Sequence, residues 1–116
     1  MYIRCAFFKG RVKPGFEEEF SRYIKEKLVP LWTQFPGAQE VRVLRQVEAD
    51  VADPHFEIVL SVRYPSRESI EKALASAVRA ESREVTKGLL EMYEGTVFHT
   101  VFDADEYATS ASPSIT

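Results

Sequence analysis

Phe56-Glu57-Ile58-Val59-Leu60-Ser61-Val62-Arg63-Tyr64 carries the cleanest period of two in the chain. Phe56, Ile58, Leu60 and Val62 fall on one side, and Glu57, Val59, Ser61 and Arg63 on the other, which is the pattern of a strand with one buried face. Its purely apolar side must pack against a second layer. Working outward, residues 4–8, 41–47 and 97–102 read as three more strands, and two long helical stretches lie between them. The order strand, helix, strand, strand, helix, strand predicts an α+β fold. One four-stranded antiparallel sheet would carry both helices on a single face.

The first helical stretch opens at Lys13-Pro14-Gly15, and Glu17, Glu18 and Glu19 place negative charge beside the unpaired amides of its first turn. Phe16, Phe20, Ile24, Leu28, Leu31 and Phe35 form its apolar stripe, with Pro30 inside it, so a kink or a helix in two pieces is expected. Pro36-Gly37 ends it. Downstream of the third strand, Tyr64-Pro65 is a stop and Ser66 a cap for a helix over residues 67–93, whose small-residue run at 73–80 is the place for a break. Residues 1–103 make one domain, and the Ser/Thr/Ala-rich tail, 104–116, has no periodicity and should be disordered on its own.

Composition narrows the function classes. A net charge of −3 gives no electrostatic reason to expect nucleic acid. No apolar run approaches the ~20 residues of a membrane span, and the start lacks the pattern of a signal peptide. Cys5 is the single cysteine and lies in a strand, which suits a reducing compartment, so a cytoplasmic location is expected.

With the third strand as reference, the faces richest in apolar residues are assigned to the helix side. These are Ile3, Cys5 and Phe7 on the first strand, Val41, Val43, Arg45 and Val47 on the second, and Val97, His99 and Val101 on the fourth. The other face would show Phe8, Leu44, Val59, Phe98 and Phe102 to water, a patch that predicts a homodimer packed sheet against sheet. Three polar residues intrude on the inward surfaces: His99, Arg45 and Glu81. Glu81 follows Ile70 by 11 residues, about 20° around a continuous helix. Together they suggest a site in which His99 is general base or proton shuttle, Glu81 orients it, and Arg45 holds a substrate's negative charge. Trp32, Tyr23 and Tyr93 are the candidate aromatic wall of the substrate pocket. Each also has a plain structural reading: a hydrogen-bonded core histidine, a snorkelling arginine, aromatics at the core rim, and a glutamate turned to solvent by a helix break near Ser76.

Val12-Lys13-Pro14-Gly15-Phe16-Glu17-Glu18-Glu19-Phe20, Phe35-Pro36-Gly37 and Tyr93-Glu94-Gly95-Thr96-Val97-Phe98-His99 together resemble the dimeric α/β-barrel superfamily of ferredoxin-like proteins. That superfamily includes antibiotic-biosynthesis monooxygenase-like and EthD-like domains, and the resemblance spans roughly residues 2–107. It implies a βαββαβ domain, a dimer through the open sheet face, and a small ring-shaped ligand held between sheet and helices. Activities in the superfamily include cofactor-free oxygenation, lactone isomerisation and haem degradation. The sequence contains no asparagine, whereas haem-degrading members use an Asn with a Trp and a His, and aromatic-oxidising members commonly use an Asn–Trp pair. Neither mechanism carries over intact.

No cofactor is implied. His55, His99 and Cys5 lack metal-ligand spacing, and no glycine-rich phosphate loop is present. An RNA-recognition reading of the same strand order fails, because Glu57, Val59, Ser61 and Arg63 stand where stacking aromatics would be needed. Two functions remain. One is a homodimeric small-molecule-binding protein acting as a cofactor-independent monooxygenase- or isomerase-like enzyme on a small ring compound. The alternative is a non-catalytic ligand-binding or assembly protein.

Overall fold

In a computed structural model, which describes residues 1–110, the chain runs β1 (Tyr2–Val12), α1 (Glu17–Tyr23), a π-helical turn (Ile24–Leu28), α2 (Val29–Trp32), β2 (Glu40–Arg45), β3 (Phe56–Tyr64), α3 (Arg67–Leu74), α4 (Ala77–Leu90) and β4 (Tyr93–Asp103). The strands form one antiparallel sheet in the order β2-β3-β1-β4, and this is the ferredoxin-like α+β fold. The helices cover one face. The core between the layers includes Phe8, Phe20, Leu28, Trp32, Leu60 and Leu89.

The parity of β3 holds over most of its length: Ile58, Leu60, Val62 and Tyr64 are buried, alternating with half-buried residues. Cross-strand partners share a face, so register fixes the rest. Val43 and His99 lie level with Leu60 and Ala6, which puts Val41, Val43 and Arg45 of β2 and Val97, His99 and Val101 of β4 on the helix side, whereas Val47 lies beyond the end of β2 and is 94% exposed. Strand β1 is the opposite of the expectation. Arg4, Ala6 and Phe8 pair with Val62, Leu60 and Ile58 and point toward the helices, leaving Ile3, Cys5 and Phe7 on the open face. Both faces of this segment are apolar apart from Arg4, so alternation alone favours the wrong one. A register shift between Phe8 and Lys9 corrects a second assignment. Beyond it the Phe56 ring packs 5.4 Å from Phe7, and Glu57 turns to accept a hydrogen bond from the Val12 amide at 3.1 Å.

The helices are each interrupted. The stripe around Pro30 begins as α1, widens into the π-helical turn and resumes as α2, with Pro30 in the first turn of that last piece. Proline there needs no amide partner, so the ladder is disturbed upstream of it. The helical stretch over 67–93 breaks within the small-residue run, as α3 and α4 with Ala75 and Ser76 between them, and it ends short of Tyr93, which opens β4. Both starts are capped by serine: Ser66 Oγ accepts from the Ser69 amide at 3.1 Å, and Ser76 Oγ from the Arg79 amide at 3.3 Å. At the start of the tail, Ala104 donates its amide to the Met1 carbonyl, and Glu106 lies 3.6 Å from Arg63. The remainder of the tail, 111–116, lies outside the described residues.

Candidate functional site

A cavity of ≈ 910 Å³ opens between the β1–β4 side of the sheet and helix α4. Its apolar floor comes from Ala6, Phe8, Leu60 and Val97, with Trp32, Phe35 and Leu74 at the sides. Basic groups dominate its charged lining, with Ser76, Ser82, Thr86 and Glu84 as the other polar residues. His99 stands on the β4 wall, Arg4 rises from β1, and Arg79 and Arg83 reach in from successive turns of α4. Arg4 is two residues along β1 from Ala6, the partner of His99, which makes Arg4 and His99 diagonal neighbours within reach of a long side chain.

The charges are felt by the imidazole. Partial burial, then Arg4, Arg79 and Arg83, push the His99 pKa down to about 4, so the ring is neutral at physiological pH. It remains exposed in the protomer, at the mouth of a wide cavity rather than sealed in the core. Burial and Arg79 likewise disfavour the charged form of Arg4, and burial and Arg83 that of Arg79. Tyr64 is pushed up by burial, an effect that neighbouring Arg4 partly offsets.

Of the residues singled out from the sequence, the cavity gathers His99 and Trp32. Glu81 is exposed and outside the lining. The break at Ala75–Ser76 rephases α4, and Ser82 takes the inward position, 5% exposed, with its hydroxyl donated to the Arg79 carbonyl at 2.8 Å. Arg45 is on the helix face but at the opposite edge strand from His99, three strand spacings or about 14 Å across the sheet. There it lines a separate hollow of ≈ 420 Å³ with Arg22, Lys25 and Val43. The Tyr23 hydroxyl donates to the Val85 carbonyl at 2.6 Å and ties α1 to α4. Tyr93 is core, packed against Phe8 and Phe20. Its hydroxyl is buried without a hydrogen-bond partner beside Gly10 and Gly95, and burial together with Glu57 pushes its pKa up to about 12.

Arg4, Arg79 and Arg83 escaped the sequence reading. Arg4 was hidden by the parity of β1. Arg79 and Arg83 left only a weak signal, a like-charge pair four apart in a helical stretch, which costs about 0.2–0.5 kcal/mol on a helix.

No protein-family model matches the chain, and no curated protein matches it by sequence. Solved structures do. An ethyl tert-butyl ether D (EthD) family protein from Bacillus halodurans aligns with 90% of this chain and 100% of its own at 15% identity and a TM-score of 0.69. A dimeric protein of unknown function and ferredoxin-like fold from Bacteroides fragilis aligns with 89% of this chain and 95% of its own, at 10% identity and a TM-score of 0.64. A candidate antibiotic biosynthesis monooxygenase from Caulobacter crescentus aligns over 90% of each chain at 16% identity and a TM-score of 0.63. At these identities the likeness shows the shared fold, the one the sequence resemblance implied.

Proposed function

We propose that this protein is a homodimeric α/β-barrel protein that binds a small ring compound between sheet and helices, and that His99 acts on it as a general base. The observation that carries this reading is the cavity itself: an apolar floor with an imidazole on its wall, held unprotonated. Such a group accepts a proton from an acidic hydroxyl or activated C–H of a bound ring, the opening step of cofactor-independent monooxygenase- or isomerase-like chemistry. EthD-like and monooxygenase-like neighbours of the same fold support the assignment.

The binding-only alternative draws support from one feature. Glu81 lies outside the cavity, so it supplies no carboxylate to orient the imidazole. Mass spectrometry of small molecules co-purifying with the protein, repeated on His99→Ala, separates the cases. An enriched ring compound is expected with both forms and its conversion with the native protein alone. Conversion by folded His99→Ala at the native rate would remove His99 from the chemistry, and the absence of any bound ring compound would count against the cavity as a binding site.

A further inference from the structure

Arg4, Arg79 and Arg83 share one cavity, yet none has an ion-pair or side-chain hydrogen-bond partner among the described residues. The only carboxylate on the lining, Glu84, is already engaged by Lys87 at 3.0 Å. Arg42 and Arg63, by contrast, each find a glutamate, at 2.8 and 3.6 Å. Arg4 and Arg79 are each partly buried and each lie beside a second guanidinium, Arg79 and Arg83 respectively, an arrangement that a bound negative charge would relieve. Arg4 is the most telling, being half-buried on a central strand where an aliphatic residue would pack better.

We infer that the cavity selects an organic anion: a planar ring compound bearing at least one carboxylate, whose charge is received by Arg4, Arg79 and Arg83 while its ring lies over Phe8, Leu60 and Val97. The inference rests on the cavity being the ligand site and deepens that reading by naming the ligand's charge. Guanidinium forks match a carboxylate in two parallel hydrogen bonds, and two arginines one helical turn apart can take a second acidic group on the same ring. The apolar floor disfavours a small hydrated ion. The bound anion would also offset the positive field at His99 and make it a stronger base when the site is filled. Lys87, one turn beyond Arg83, shares its helix face and, with Glu84, also lines the cavity.

The test uses the intact protein and four probes: phthalate, benzoate, benzamide and inorganic phosphate. Binding is followed by calorimetry and by the His99 ring signals in NMR. Phthalate should bind more tightly than benzoate, with benzamide and phosphate far weaker, and phthalate should raise the His99 pKa. The Arg79→Gln/Arg83→Gln variant should lose about tenfold or more in phthalate affinity, as expected for lost charge-assisted hydrogen bonds, without a lower unfolding midpoint. Benzamide binding as well as benzoate would overturn the inference in the native protein alone, whatever the variant does. So would phosphate matching phthalate, or carboxylates at millimolar concentration that leave the His99 signals unmoved. A neutral ring compound found co-purifying would sink the anion inference while leaving the ring-binding reading intact.

Discussion

His99 is unusual because its surroundings work against its charged form in two ways, partial burial and three arginines. Its folded pKa of about 4 lies below the ordinary 6.5, so at intermediate pH the unfolded chain takes up the proton more readily than the native protein does. The stability linked to this residue is therefore complete above about pH 6.5 and is lost as the pH falls toward about 4. Urea unfolding at pH 7.5 and pH 5 should show a smaller decline for His99→Gln than for the native protein, since glutamine has no proton to gain. An identical decline would mean that the imidazole titrates normally and that the arginines do not reach it. The histidine could be picked out from sequence because it interrupts an apolar strand face. Its arginine neighbours could not, because their proximity depends on register and on the phase of α4.

Among the elements, α4 and α1 are coupled through Tyr23, which donates to the Val85 carbonyl and lies against Gly88. Gly88 has no side chain because the Tyr23 hydroxyl occupies that space, and a Cβ there would collide with it. On a helix interior, alanine normally stabilises by about 1 kcal/mol over glycine, so the sign of Gly88→Ala decides which effect governs. We expect a net loss of about 1–3 kcal/mol from overpacking, measured by chemical denaturation, and substantial recovery in the Tyr23→Phe background, where the hydroxyl is gone. A stabilising Gly88→Ala would show that the two helices give way freely. The elements themselves were mostly legible. The alternation of β3, the Ser66 cap and the interruption near Pro30 are all local signals, and each appears in the structure. Strand β1 was not, because Ile3, Cys5 and Phe7 are as apolar as Ala6 and Phe8, and only pairing with β3 tells the faces apart. Glu81 failed for a related reason. A helical wheel assumes one continuous helix, and the restart at Ser76 shifts every later residue around the axis.

At the scale of the whole molecule, the open sheet face is a connected aromatic surface. Phe7 stacks on Phe98 at 5.1 Å and meets Phe102 edge-on at 6.4 Å, while Leu44, Phe98 and Phe102 are 48, 42 and 45% exposed. A patch of this kind is costly in water, and a second copy placed face to face is the occupant we propose. Phe98→Glu would set a carboxylate at its centre without touching the helix-side core. Sedimentation is expected to show a dimer for the native protein and a monomer for the variant, and a native protein that sediments as a monomer would defeat the assembly. No helix among the described residues is long and apolar enough to cross a membrane.

The restart of the second helical stretch at Ser76 has one more consequence. Ile70 and Ala73 anchor α3, and Ser82 and Leu89 anchor α4, all buried, whereas Arg79 and Arg83 hang over the hollow from a different side of the same cylinder. Packing against the core and the charge presented to the cavity thus fall largely to different residues of one helix, with Ser82 bordering both. Descendants of this chain are free to redraw the roof above the guest, turn by turn, while the rafters beneath it stay where they are.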